Sequence, residues 1–338
     1  MNYVLVTAAR NEQAHIEKTI QSVVAQTRLP LRWVIVDDGS TDHTGEVVAS
    51  YTEKHAWIEL VQRSPHQERS FAGKVLAFNA GFERIKSLNF EVIGNLDADL
   101  SFDADYLEFL VSKFAEDPRL GVAGTPFIES GYDSARDSFE GENHVAGGCQ
   151  LFRRRCFMEI GGYTPNPAGG IDWIAVTTAR MKGWKTRSFP EKRFHHYRPL
   201  GTAERGELAS LYSYGEKDYY LGGSPVWQAF RVAYRSVKQP FVVGGLALFL
   251  GYTSAALRRM KRAVSPDLMR FHRQEQMRKL TALFGALLRF KKPDKFFLPS
   301  SPADSFPRPE LGGSPRKATP DSSVKRPDAA EYHYPERF

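Results

Sequence analysis

Three apolar runs in the first hundred residues constrain the fold of this chain more than any other feature. Tyr3 to Thr7, Trp33 to Val36 and Val92 to Leu96 are short, rich in Val, Ile and Leu, and free of charge. Runs of that length suit strands covered on both faces, as in a parallel sheet. Between the first two, Ile16, Ile20, Val23 and Val24 recur at the spacing of a helix with one buried face, and Pro30 closes the unit. Trp57 to Val61 reads as another strand, and Lys74 to Ile85 as a helix leading to Val92. Strand–helix alternation with short connections predicts an α/β fold with a doubly wound, mostly parallel sheet.

Each of the three runs ends in polar residues. Thr7 is followed by Ala8-Ala9-Arg10-Asn11-Glu12, Val36 by Asp37-Asp38-Gly39-Ser40-Thr41-Asp42, and Leu96 by Asp97-Ala98-Asp99. Ligands of open α/β sheets bind at the carboxyl ends of strands, so these clusters are expected along one edge. Gly39 permits a tight turn, and Ser40, Thr41 or Asp42 can cap the next helix. Asp97 and Asp99, one residue apart, can point the same way and share a hard cation. Oxygen ligation suits Mg²⁺ or Mn²⁺, with diphosphate oxygens completing the shell. A lone D-x-D also occurs in solvated turns. Three polar strand ends together are better explained by a nucleotide and a metal.

Beyond Asp99 the pattern changes. Asp105 to Phe114 reads as a helix, Val122 to Ile128 as a strand and Gln150 to Arg153 as a short strand. Gly161-Gly162-Tyr163 and Gly169-Gly170-Ile171-Asp172-Trp173 are glycine-rich loops around a helix starting near Asp172. Gly183 to Thr186 leads to a strand that ends at Phe194-His195-His196-Tyr197-Arg198. Ala203 to Lys238 is aromatic and basic, with two expected helices. Pro240 to Leu257 then carries no charge over 18 positions. A bilayer span needs about 20 apolar residues. Three readings stay open: a span, a helix or hairpin dipping into one leaflet, or a helix buried against the domain. The basic run Arg258 to Arg262 follows, suited to anionic headgroups or to a solvated helix face. Leu280 to Phe290 has apolar residues at helical spacing with basic neighbours and is expected in the interface plane of a membrane. From Pro299 the composition is Pro, Ser, Gly and charge, which predicts a disordered tail.

Residues 258–298 hold twelve Lys and Arg against Asp267, Glu275 and Asp294, more positive charge than the net +7 of all 338 residues. The basic character is therefore regional, which argues against a nucleic-acid footprint. Cys149 and Cys156 make no disulfide framework and no zinc spacing. Met1 leads straight into the first strand without a secretory pattern, so the cytoplasm is expected.

Taken in order, the motifs resemble glycosyltransferase family 2. The resemblance runs from Val4 to about Arg198. It rests on Ala9-Arg10-Asn11-Glu12, on Val36-Asp37-Asp38-Gly39-Ser40-Thr41-Asp42, on Gly73-Lys74-Val75-Leu76-Ala77-Phe78-Asn79-Ala80-Gly81, a G-K-x-x-A-x-N-x-G helix, and on Asp97-Ala98-Asp99. It implies a GT-A fold over residues 1–202, with a nucleotide-sugar half at 1–100 and an acceptor half at 101–202. A helical, basic, membrane-associating region is then expected at 203–298 and the tail at 299–338.

The resemblance implies that Thr7, Ala9, Arg10, Glu12, Asp38, Lys74, Asp97 and Ala98 line the donor site. Asp38 would hold the base or ribose, Lys74 the nucleotide, and Asp97 the ribose or the metal's water. Asp99 would ligate Mg²⁺ or Mn²⁺ together with His196 or His195, the first favoured by the H-x-R arrangement of His196-Tyr197-Arg198. Asp172 occupies the place of the family's Glu-Asp pair and would be the catalytic base. Ile171 precedes it, so half of that motif is missing. Gly170, Trp173 and Arg198 would lie on the acceptor side.

The implied activity is inverting hexosyl transfer from a nucleotide-sugar donor to an acceptor hydroxyl or phosphate. No Q-x-x-R-W signature of processive synthases is present. The apolar and basic C-terminal region suggests a lipid-linked or glycan acceptor at the inner face of the cell membrane, in cell-envelope or exopolysaccharide assembly. Two other readings compete. A sugar-nucleotide nucleotidyltransferase would need a glycine-rich basic loop after the first strand. A nucleotide-sugar-binding scaffold without catalysis draws only on the missing acid before Asp172.

Overall fold

The structure is a computed structural model that describes residues 1–64, 71–129, 132–137, 141–166, 168–198 and 206–288. The alternation read in the first hundred residues is present. It runs β1 (Tyr3–Ala9), α1 (Ile16–Val24), β2 (Arg32–Asp37), α2 (Thr44–Thr52), β3 (Ile58–Gln62), α3 (Phe71–Ile85) and β4 (Val92–Leu96). Alternate residues of β1 serve opposite faces of the sheet, because strand side chains alternate. Tyr3 and Leu5 pack with Ile16, Ile20 and Val23 of α1. Val4 and Val6 pack with Val75 and Phe78 of α3. Both faces are dry, so the run needs no polar alternation.

The chain then continues through β5 (Leu100–Ser101), α4 (Tyr106–Glu116), β6 (Leu120–Gly124), β7 (Phe127–Glu129), β8 (Tyr132–Asp133) and α5 (Ser134–Asp137). The single strand expected over Val122 to Ile128 is two. Pro126 lacks the N–H that would continue the ladder, and β6 and β7 belong to different sheets. After a 3₁₀ turn at Gly141–Asn143 come β9 (Cys149–Arg153), α6 (Arg154–Ile160), α7 (Ile171–Met181), β10 (Lys185–Ser188) and β11 (Phe194–His196).

The main sheet has the order β10-β6-β9-β4-β1-β2-β3. It is mixed rather than purely parallel, because β9 runs antiparallel to both β4 and β6. A fully buried strand looks the same in either direction, which is why its sequence gave no sign of this. The second sheet, β5-β11-β7-β8, stands at the end of β4.

Four helices follow: α8 (Glu207–Tyr220), α9 (Pro225–Ser236), α10 (Val243–Leu257) and α11 (Pro266–Leu288). Among the described residues, no helix is long and apolar enough to cross a membrane. The 15 residues of α10 reach about 22 Å at 1.5 Å per residue, short of a hydrocarbon core of about 30 Å. Its glycines serve close helix contact. A Cβ on Gly251 would lie 2.0 Å from the Tyr212 carbonyl oxygen of α8, and one on Gly215 of α8 2.2 Å from the Leu248 carbonyl oxygen.

The helix α11 closes on α7. Trp173 and Ile174 share a small apolar cluster with Leu268. The buried Arg180 guanidinium donates to both carboxylate oxygens of Glu275, at 2.9 and 3.1 Å. In the stretch 280–290, Leu280 is buried while Phe284 is exposed. Residues 289–290 and the tail expected from 299 lie outside the described residues.

Candidate active site

The second sheet brings the histidine to the aspartates. β11 pairs antiparallel with β5, placing His196 opposite Leu100. The Tyr197 amide donates to the Asp99 carbonyl at 2.9 Å. Thr19 of α1 pins β5 from below, its hydroxyl bonded to both the amide and the carbonyl of Leu100 at 2.9 Å. Ligand atoms of Asp97, Asp99 and His196 thereby lie within 4.8 Å of one another. His196 Nε2 is 3.6 Å from Asp99 Oδ2, and Nδ1 is 3.2 Å from Glu129 Oε2 on β7. A carboxylate behind an imidazole fixes which ring nitrogen keeps the proton and leaves the other as a ligand. Two carboxylates and one imidazole so arranged fit a small divalent cation. His195, the alternative ligand, points the other way along the strand and is exposed.

Lys74 projects from α3 into the same cluster and donates to Asp97 Oδ1 at 2.5 Å. Burial disfavours its charge, but Asp97, Asp172 and Asp99 outweigh burial and raise its pKa. Asp97 is itself raised, by burial and by Asp99, against the pull of Lys74. Three carboxylates therefore surround one ammonium. Such crowding of negative charge is what a bound cation relieves.

Asp172 stands in the first turn of α7, after Gly169 and Gly170 with φ of +85° and +77°. That left-handed backbone favours glycine. The loop Gly147–Gly148 joins Asp172 to the aspartate pair. Gly148 accepts the Asp97 amide at 2.8 Å, and Gly147 accepts Asn95 Nδ2 at 2.9 Å. A Cβ on Gly147 would meet Asp172 Oδ2 at 2.9 Å. The adjacent glycines before β9 were the sequence sign of this contact, and the motif reading passed over them.

At the carboxyl ends of β1 and β2, Asp38 is held by Arg63 and its amide donates to the Ala9 carbonyl at 2.8 Å. Arg63 follows β3, and the register of β2 on β3 carries it there. Glu12 is buried and paired with Arg198. Arg198, expected on the acceptor side, is thereby tied to the loop that follows β1. Thr7 is enclosed within β1. It is 0% exposed, and its hydroxyl accepts the Trp33 indole N–H at 3.0 Å, inside the sheet. Ala9 and Ala98 are buried at strand ends, and Arg10 is half-buried beside them. Gly170 contacts α8, where a Cβ would meet Leu221 at 3.2 Å, and Trp173 is buried against His272 of α11. Glu129 and Arg63 were not foreseen, because only the strand order brings them in.

Residues 4–140 match the sequence profile described as Glycosyl transferase family 2. The matched residues make up less than half of the chain. Its motifs at Asp38, Lys74 and Asp97–Asp99 all fall within the match. The chain is similar to the poly-beta-1,6-N-acetyl-D-glucosamine synthase of Staphylococcus aureus (strain COL), 33% identical over 124 residues, 36% of this chain and 28% of the synthase. The synthase of that name in Staphylococcus epidermidis is 30% identical over the same share. The chain thus spans under a third of the length of these curated relatives. Among solved structures it resembles TarS residues 1–349 of S. aureus in complex with UDP-GlcNAc. The TM-score is 0.54 at 14% identity, over 88% of this chain and 89% of that one. It also resembles a mannosyltransferase of Pyrobaculum calidifontis in complex with GDP-Man and Mn²⁺. There the TM-score is 0.50 at 20% identity, over 86% and 81% of the two chains. The matched segment and the elements after it therefore share a GT-A-like fold with these structures.

Proposed function

We propose that this chain is a metal-dependent, inverting glycosyltransferase. It moves a sugar from a nucleotide-sugar donor to a hydroxyl or phosphate of a lipid-linked or glycan acceptor. The observation that carries the reading is the convergence of Asp97, Asp99 and His196 beside Lys74, with Asp172 across the Gly147–Gly148 loop. Asp99 and His196 would hold Mg²⁺ or Mn²⁺, with Asp97 adjoining. When bound, such a cation neutralises the diphosphate leaving group. Lys74 adds a fixed positive charge to the same region. Asp38, steadied by Arg63, and the loop at Glu12 form the nucleoside end. The carboxylate of Asp172 accepts the proton of the attacking hydroxyl. A single displacement with one base inverts the anomeric centre.

We place the enzyme at the inner face of a membrane, in cell-envelope or exopolysaccharide assembly. Support for this comes from α10. One of its faces packs on α8, while Val243, Leu246, Phe249 and Leu250 on the other remain about half exposed, and Leu257 is 84% exposed. Exposed Arg259 and Lys261 follow directly. An outward apolar face flanked by basic residues suits shallow insertion into an anionic leaflet.

Asp172→Asn tests the chemistry. The variant is expected to bind nucleotide sugar and Mn²⁺ as the wild type does, and to turn over at least ~100-fold more slowly, the scale of a lost general base. Turnover near the wild-type rate would refute the role of Asp172.

A further inference from the structure

We propose that the cavity beside Asp172 receives one sugar ring of the acceptor, so that the enzyme extends an existing glycan instead of glycosylating a bare phosphate. This rests on the transferase reading above and narrows its acceptor. The cavity has a volume of about 250 Å³ and is walled by α7, α8, α9 and α11. Ligand pockets for larger molecules run from roughly 300 Å³ upward. The space is of a size to take a sugar ring.

Aromatic side chains supply its apolar surface. Trp173 and Trp227 are nearly buried, and Tyr214 is 42% exposed. Flat rings of this kind cover the C–H face of a pyranose while its hydroxyls remain free to bond. Polar groups stand between the rings: Asp218 accepts, and Lys217 and Gln276 donate. The charges balance. Asp172 and Asp218 face Lys217 and Arg231, and Arg231 is paired with Asp218. A balanced set of donors and acceptors answers hydroxyls. A free phosphate calls for surplus positive charge. The wall is also rigid. The Trp173 ring meets His272 edge-on at 4.5 Å, His272 Nε2 is 2.8 Å from Gln276, and Gln276 accepts the Ser224 amide at 2.7 Å. Because Asp172 belongs to the same wall, a hydroxyl of the held ring meets the carboxylate that takes its proton.

Binding, measured apart from turnover, tests the proposal. The full chain is titrated with methyl glucoside, galactoside, mannoside and N-acetylglucosaminide, and with inorganic phosphate, by saturation-transfer NMR. Donor binding is followed separately by thermal shift with Mn²⁺. At least one pyranoside is expected to bind saturably, and to bind about tenfold more weakly to Tyr214→Ala and to Lys217→Met, one lost contact each. Both residues are partly exposed, so neither change empties the core, and donor binding should persist in both. The proposal is overturned if no pyranoside binds while donor does, if both variants bind as the wild type does, or if inorganic phosphate takes the site in their place. Failure of the wild type to bind any donor would sink the transferase reading, and this proposal with it.

Discussion

His196 turns one imidazole nitrogen to Asp99 and the other to Glu129, at 3.6 and 3.2 Å. The carboxylate on the far side decides which nitrogen keeps a proton. Glu129→Gln preserves the shape and removes the charge. Mn²⁺ affinity, read by calorimetry with nucleotide present, is expected to fall about 10- to 100-fold, the range for residues that orient a metal ligand. Unchanged affinity would remove Glu129, and with it this tautomer of His196, from the account. At this scale the sequence was informative wherever a residue type speaks for itself. Asp38, Asp97, Asp99 and Asp172 are acids at strand or helix ends and were legible as such. Glu129 was not, because its neighbour is fixed by a strand pairing between distant segments. The pairing of Arg198 with Glu12 was hidden for the same reason, since the two lie far apart in the chain.

The motif helix α3 shows why some motif residues are structural. Lys74 reaches the aspartates, while Gly81 lets the helix lie on the sheet. A Cβ there would come within 2.6 Å of Val6 and 3.0 Å of Val36. Helix propensity alone favours alanine at such a position by about 0.5–1 kcal/mol. Overpacking opposes it, at about 1–3 kcal/mol, and should win. Gly81→Ala is therefore expected to lower the midpoint of urea unfolding, and Gly81→Ala with Val6→Ala to recover part of the loss. A stabilised single variant would contradict the close approach. The alternating elements were legible because apolar runs and helical spacing encode burial. The direction of β9 was not, because burial on both faces is silent about polarity. The break at Pro126 was available in the sequence, and the longer strand drawn through it was the error.

Across the molecule, the 4–140 segment carries the proposed donor residues, and the helices from Glu207 carry the proposed acceptor wall and an outward apolar face. The charge-free stretch at 240–257 left a span, a leaflet insertion and a packed helix open, and its glycines serve close packing of α10 on α8. Flotation with phosphatidylglycerol–phosphatidylcholine vesicles checks the membrane face. The wild type should rise with anionic vesicles, and the double variant Leu246→Glu, Phe249→Glu should not. Equal flotation of the two would dismiss α10 as the contact. The central claim is that the aspartates and His196 form a metal-dependent nucleotide-sugar site. The most direct test is thermal stability with and without Mn²⁺, across UDP-, GDP-, dTDP- and CMP-sugars, in the wild type and in Asp99→Ala. A ligand at about 100 times its dissociation constant stabilises by about 2.7 kcal/mol. The account predicts a shift of that order with one nucleotide class, dependent on Mn²⁺ and lost in Asp99→Ala. A shift that survives in Asp99→Ala, or none with any nucleotide, would contradict it.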